Sequence, residues 1–137
     1  MNNKKILITG GAGFLGSTIA RRLIHENQVT LFVKPTTSFD RVNDLLKNNR
    51  CKLIKGGLLD EKCVKESVEG QDYLFHCAWQ TDLKKSMRNP LLDTQEDIGG
   101  LITILEECKK LNMPPKIIFL STTTVIGEPS QIPSGEN

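Results

Sequence analysis

The sequence lacks long apolar runs and blocks of like charge, and each absence excludes a class of protein. Apolar runs reach only about five residues, whereas roughly 20 are needed to cross a bilayer, so we predict no membrane span and no signal peptide. Eighteen Lys and Arg against sixteen Asp and Glu leave a net charge of +2 without a polybasic block. This balance predicts neither a nucleic-acid-binding tract nor a membrane-surface patch.

Closely spaced cysteine pairs are also missing. The four cysteines never form a C-x-x-C pair, and each has apolar neighbours; they are Cys51, Cys63, Cys77 and Cys108. We interpret them as reduced packing residues, which predicts a cytoplasmic location. A metal site built from scattered Cys and the two His residues is the less favoured alternative.

The chain has the length of one compact domain, and its pattern alternates between strand and helix. Apolar, strand-like runs occur at residues 4–9, 28–33, 51–56, 72–78 and 116–121. Helical spacing begins at Phe14, and a second helical segment follows a cap at Ser38. A short helix begun by Asp60 covers 60–69, and a long helix has Asn89 as its cap and Pro90 as its first residue. Apolar strands separated by helices predict an α/β doubly wound parallel sheet of the Rossmann type. After Ile126 we predict loop.

A glycine cluster lies between the first strand and the first helix. Gly10, Gly13 and Gly16 form a G-x-x-G-x-x-G arrangement, in which glycine permits a tight turn and a close approach of the backbone to a diphosphate. The N–H groups and the positive dipole end of the helix would then face the anion. The alternative is a turn that needs glycine for its geometry and binds nothing.

Four stretches resemble one family in the same order. "TGGAGFLG" resembles the fingerprint of the extended short-chain dehydrogenases/reductases, the group with the NAD-dependent nucleotide-sugar epimerases, dehydratases and reductases. "FHCAW", "DIGGLITILEEC" and "FLSTTTVIGEP" resemble its H-x-A-A segment, its N-x-x-G-T-x-x-L-L-E-A helix and its S-S-x-x-V-Y-G strand. The likeness covers nearly the whole chain and corresponds to the N-terminal part of such an enzyme.

The resemblance implies a site for NAD or NADP and a catalytic hydroxyl. The implied cofactor-binding residues are Gly10, Gly13, Phe14, Leu15, Gly16, Lys34, Leu58, Cys77, Ala78, Trp79 and Ser121. Thr122 matches the catalytic Ser or Thr, which hydrogen-bonds a substrate hydroxyl or carbonyl; its local alternative is a strand end satisfied by hydroxyl-to-backbone bonds. We interpret His76 as a hydrogen-bonded core residue rather than a catalytic one.

The residue after the second strand bears on cofactor choice. Many NAD-binding folds have an acid at the position of Val33, and Lys34 follows it here. A cation there favours the 2′-phosphate, so we expect NADP to be preferred slightly over NAD, although a solvated Lys is the plain alternative. Leu58 stands where the family often has Asp, which leaves backbone and apolar contact with adenine.

The remaining features of the predicted site are two glycines inside the long helix and the absence of the family's catalytic base. Gly100 matches a family position of close packing, Gly99 has no counterpart, and Asp97 replaces the usual Asn. The Y-x-x-x-K base of the family is absent, since the one tyrosine, Tyr73, lies in a strand. We therefore expect a chain truncated after its fifth strand, without the C-terminal substrate-binding part, that is inactive alone.

The predicted function is the cofactor-binding portion of a nucleotide-sugar epimerase, dehydratase or reductase. Thr123 and Thr124 stand in place of the dehydratase Asp-Glu pair, which disfavours acid-assisted loss of water. An NADP-dependent reductase of small carbonyl compounds and a dinucleotide sensor without turnover are the alternatives. The predicted partner is a nucleotide sugar or another small molecule, without nucleic acid, membrane or metal, and a homodimer is left open.

Overall fold

A computed structural model describes residues 1–122, 125, 127, 128, 131 and 132 of the chain. These residues form five parallel strands and the helices that connect them. The strands are β1 Lys5–Thr9, β2 Gln28–Val33, β3 Cys51–Lys55, β4 Tyr73–His76 and β5 Lys116–Phe119. The helices are α1 Phe14–Leu23, α2 Glu61–Val68, α3 Leu83–Arg88, α4 Pro90–Thr94 and α5 Gly100–Lys109.

The strand order is β3-β2-β1-β4-β5, which confirms the predicted doubly wound parallel sheet. The chain first builds outward from β1 to β3 and then crosses back to place β4 on the other side of β1. The order thus reverses between β1 and β4, and a crevice opens at the carboxyl ends of strands at such a point.

Both faces of the sheet are covered, as apolar strands require. Ile6 and Ile8 of β1 pack on one face with α1, whereas Leu7 between them packs on the other face with α2 and α5. All three are fully buried. The opposite directions of neighbouring side chains in a strand explain this division.

Several elements begin where the sequence places them. The side chain of Asp60 accepts a hydrogen bond from the Cys63 amide at the start of α2, and that of Asn89 accepts one from Leu92 at the start of α4. Both are ordinary N-terminal caps, which satisfy amides that the helix leaves unpaired.

Three local predictions need correction. The segment after Ser38 forms turns and a 3₁₀ turn, Leu45–Lys47, in place of a regular helix. The predicted long helix is interrupted by a π-helical turn, Gln95–Gly99, between α4 and α5. Helix α3 was not predicted, although Asp82 caps it through hydrogen bonds from two amides. The loop predicted after Ile126 falls largely on residues outside the described part of the chain.

Within the described residues, no helix is long and apolar enough to span a membrane. The same part of the chain groups no three His, Cys, Asp or Glu side chains that could hold a metal ion.

Candidate functional site

A cleft of about 450 Å³ lies at the carboxyl ends of β1, β2 and β4, at the point where the strand order reverses. Seven of the predicted site residues line it: Gly10, Gly13, Lys34, Leu58, Cys77, Ala78 and Trp79. Its size is within the usual range for clefts that bind small molecules. The fold therefore brings residues from four separate segments of the chain together at this cleft.

The glycine turn after β1 is close-packed against its surroundings. Gly10 has a φ of +64°, and a Cβ there would lie 2.9 Å from backbone atoms of Cys77 and Ala78. A Cβ on Gly16 would overlap the carbonyl oxygen of Gly10. Neither position admits a side chain without a backbone shift, because the atoms met are backbone atoms. The turn and the start of α1 thus form a surface of bare backbone facing the cleft.

Helix α1 presents its N-terminus at this turn. Gly13 precedes the helix and has no side chain with which to cap it, and the first turn contains no acidic residue. The amides of Phe14, Leu15 and Gly16 belong to that first turn. Amides left unpaired at a helix start, together with the helix dipole, favour an anion.

The end of β4 is tied to β1 by hydrogen bonds around Thr9. The Cys77 amide donates to the Thr9 carbonyl at 3.2 Å, and the Ala78 amide donates to the Thr9 hydroxyl at 3.3 Å. Burial raises the pKa of the Cys77 thiol to about 11, so the thiol is neutral and a poor nucleophile at physiological pH. Trp79 lies half exposed against the edge of the Phe119 ring.

His76 is a core residue in this structure. It is buried, its Nδ1 lies 2.9 Å from the Thr9 hydroxyl, and its ring stacks on Phe119. Burial lowers the pKa of His76, which keeps the imidazole neutral. Its Nε2 finds no hydrogen-bond partner among the described residues. This environment agrees with our interpretation of His76 as a packing residue.

The far side of the cleft is built by residues after β2 and β3. Leu58 packs with the core cluster around Phe32 and also lines the cleft. A Cβ on Gly100 would lie 2.7 Å from the Leu58 Cβ, and one on Gly99 would lie 3.2 Å from the Leu59 side chain. The two glycines therefore allow α5 and the π-helical turn to approach the Leu58 segment, which also gives Gly99 a packing role.

Two acidic residues of the π-helical turn line the cleft as well. The Glu96 carboxylate lies 2.6 Å from the Lys34 ammonium. Asp97 accepts one bifurcated hydrogen bond from the Gln80 amide, at 3.0 and 3.1 Å to its two oxygens, and burial raises the pKa of its carboxyl. Sequence reasoning did not place Glu96 in the site; the adjacent pair of helix glycines was the available signal of a local distortion there.

Five predicted site residues do not line the cleft as described. Phe14, Leu15 and Gly16 lie behind the glycine turn in α1, and the Phe14 ring is exposed with the Arg41 guanidinium 6.0 Å from its centre. Ser121 and Thr122 are exposed and follow β5, whose carboxyl end lies at the same edge of the sheet. The Thr122 carbonyl accepts a hydrogen bond from the Val125 amide. Thr123 and Thr124 lie outside the described residues.

Comparison with known proteins agrees with this geometry. The model of the NAD dependent epimerase/dehydratase family matches residues 6–137. A protein of Methanocaldococcus jannaschii, described as a putative UDP-glucose 4-epimerase, is 34% identical over 137 aligned residues, which cover 96% of this chain and 43% of that protein.

Two solved structures extend the likeness to three dimensions. The UDP-N-acetylglucosamine 4-epimerase of Methanobrevibacter ruminantium M1, in complex with UDP-N-acetylmuramic acid, superposes with a TM-score of 0.85 at 30% identity, over 99% of this chain and 43% of that one. The UDP-glucose 4-epimerase of Bifidobacterium longum, in complex with NAD⁺ and UDP, gives 0.79 at 27% identity, over 96% and 41%. This chain thus spans less than half the length of these relatives.

Proposed function

The chain belongs to the NAD dependent epimerase/dehydratase family, and we propose that it is the cofactor-binding part of a nucleotide-sugar epimerase or reductase. The observation that carries this proposal is the glycine turn, where a Cβ on Gly10 or Gly16 would meet backbone atoms. A side-chain-free surface beside a helix N-terminus is what a diphosphate needs in order to reach backbone amides.

The cleft residues divide into roles along an extended dinucleotide. The amides at the start of α1 would hold the diphosphate, and Leu58 would contact the adenine. Cys77, Ala78 and Trp79 would face the nicotinamide ribose, since they end the strand next to β1. A bound nicotinamide accepts or donates hydride. Ser121 and Thr122, at the carboxyl end of β5, remain the proposed contacts of this end of the cofactor and of the substrate.

A nucleotide sugar is the proposed substrate, and epimerisation or reduction is proposed over dehydration. Support comes from the nucleotide-sugar epimerases among the relatives and from Thr123 and Thr124 in place of an acid pair. No Y-x-x-x-K motif occurs in the sequence, so we expect no turnover by this chain alone. A cytoplasmic location and a homodimer stay predictions.

The slight preference for NADP predicted from Lys34 also stays untested. The cation lies in the cleft as that prediction needs, but its ammonium is already paired with Glu96. A structural relative in the family was solved with NAD⁺.

Calorimetric titration tests the proposal. We expect NAD, NADP and ADP-ribose to bind saturably, and nicotinamide mononucleotide, which lacks the diphosphate bridge, to bind much more weakly. Absence of binding by all three diphosphate-bridged ligands, NAD, NADP and ADP-ribose, would contradict a cofactor-binding role. Epimerase or reductase turnover by the chain with added cofactor would contradict our view that the base is missing.

A further inference from the structure

We propose that Glu96 is a selectivity residue for the cofactor, whose carboxylate occupies Lys34 and opposes a 2′-phosphate, so that the cleft selects NAD over NADP. This inference rests on the proposed function, namely that the cleft binds a nicotinamide dinucleotide.

The ion pair joins two distant segments that line the cleft. Lys34 follows β2, whereas Glu96 lies in the π-helical turn 62 residues later, and Nζ and Oε2 are 2.6 Å apart. Both residues line the cleft, with 46% of the Lys34 side chain and 28% of the Glu96 side chain exposed. The partially buried carboxylate is therefore fixed beside the one cation that a 2′-phosphate could reach among the described lining residues.

The charges of the described lining residues favour a neutral ribose. They include one ammonium group, that of Lys34, and two carboxyl groups, those of Glu96 and Asp97. A phosphate carries a charge of about −1.5 to −2 at neutral pH, so its binding at Lys34 would either separate the ion pair or place the phosphate beside the Glu96 carboxylate. The phosphate and the Glu96 carboxylate would then repel each other, because both are negatively charged.

The adenine ribose of NAD has no 2′-phosphate, so its binding neither separates the ion pair nor places a second negative charge beside Glu96. A carboxylate near the end of β2 commonly accepts hydrogen bonds from the ribose hydroxyls of NAD. Val33 cannot provide one here, but Glu96 brings a carboxylate to the same end of the cleft from a different segment. Lys34, the cation that favours NADP, and Glu96, the acid that opposes it, are thus the two members of one ion pair.

The test compares NAD and NADP affinities of the wild-type protein with those of Glu96→Gln and Glu96→Ala, by calorimetry at one low ionic strength. We expect the wild type to bind NAD more tightly than NADP. Each Glu96 variant should bind NADP about tenfold more tightly, a change of about 1.4 kcal/mol, and should not gain affinity for NAD. Added salt should reduce this gain, because it screens exposed charges.

Matched controls locate the effect. Glu106→Gln removes an exposed carboxylate on α5 that is paired with Lys109 outside the cleft, and it should leave both affinities unchanged. Adding Lys34→Met to Glu96→Gln should abolish the gain for NADP. Circular dichroism melts confirm that each variant folds.

The outcomes separate the two ideas. A wild type that prefers NADP, or Glu96 variants whose NAD-to-NADP affinity ratio stays that of the wild type, would overturn the role of Glu96 while leaving a dinucleotide site intact. Failure of the wild type and of Glu106→Gln to bind either cofactor would overturn the proposed function, and this inference with it.

Discussion

Substituting Gly16 by Ala tests whether the close-packed turn is what holds the cofactor. The added Cβ would overlap the Gly10 carbonyl oxygen and would lie 2.9 Å from the Gly11 Cα. Both are backbone atoms, so a change of rotamer cannot relieve the contact. Either α1 or the turn that leads into it must move, and α1 carries at its start the amides that we assign to the diphosphate.

The expected loss of stability is modest. Overpacking costs about 1–3 kcal/mol, and alanine recovers about 1 kcal/mol of helix propensity relative to glycine. We therefore expect Gly16→Ala to lower the free energy of unfolding by up to about 2 kcal/mol, or the Tm by up to roughly 7 °C. Gly57→Ala is the control for stability, because a Cβ there meets nothing within 4 Å and should leave the Tm near that of the wild type.

The expected loss of cofactor affinity, expressed as a fold change, is large. A hydrogen bond to a charged group contributes about 1.5–3 kcal/mol, so loss of one amide contact with the diphosphate weakens binding by roughly 10- to 100-fold. NAD and NADP should lose affinity equally, since both have the same diphosphate. Calorimetry well below the Tm measures this effect separately from unfolding. Wild-type affinity for both cofactors in a folded Gly16→Ala variant would refute the reasoning.

Two further predictions concern the π-helical turn and its neighbours. Burial raises the pKa of Asp97 above its usual 3.8, so this carboxyl costs stability as the pH rises through its folded-state pKa. Asp97→Asn should therefore raise the Tm at pH 7 and lose that gain below pH 3.8, in thermal melts across this range; a gain independent of pH would contradict the burial argument. Gly100→Ala places a Cβ 2.7 Å from the Leu58 Cβ and should cost about 1 kcal/mol in denaturant unfolding; an equal cost in a Leu58→Gly background, which removes that Cβ, would show that Leu58 is not the obstacle.

Elements defined by local chemistry could be predicted from the sequence. The second strand begins and ends where its apolar run does, Gln28–Val33, and the first helix begins at Phe14 after the glycine turn. The caps Asp60 and Asn89 were identified because a side-chain oxygen three residues before an amide is a local signal. Repetition of strand and helix then determines the sheet, because crossovers between parallel strands are right-handed.

The segment after Ser38 shows where periodicity misleads. Phe39, Val42 and Leu45 recur at intervals of three, which fits 3₁₀ turns as well as one face of an α-helix. Most of the hydrogen bonds follow that tighter pattern, with the Val42 amide donating to the Phe39 carbonyl and the Asn48 amide to the Leu45 carbonyl, although the Leu46 amide makes one α-helical bond to the Val42 carbonyl. Val42 and Leu45 are buried, so the segment does present an apolar face to the core, and only the predicted type of helix is wrong.

Contacts between distant segments could not be predicted from the sequence. Lys34 and Glu96 are 62 residues apart, and their distance depends on a π-helical turn that changes the direction of the residues it contains. A preference for NADP inferred from Lys34 alone therefore omits its counter-ion. Lys34 does line the cleft, as the sequence predicts, but the sequence alone does not show which charges surround it.

The two sides of the cleft consequently differ in what they control. On the glycine side the proposed contacts are backbone amides held by packing between Gly10, Gly16 and the end of β4, and every dinucleotide would meet them alike. On the Lys34 side the proposed contacts are charged side chains, and the balance of charge there depends on Glu96. Substitutions on the first side should change both cofactor affinities by one factor, and charge substitutions on the second should change their ratio. A Gly16→Ala variant that altered the NAD-to-NADP ratio would show that the turn also positions the ribose, and the two sides could not then be treated as independent.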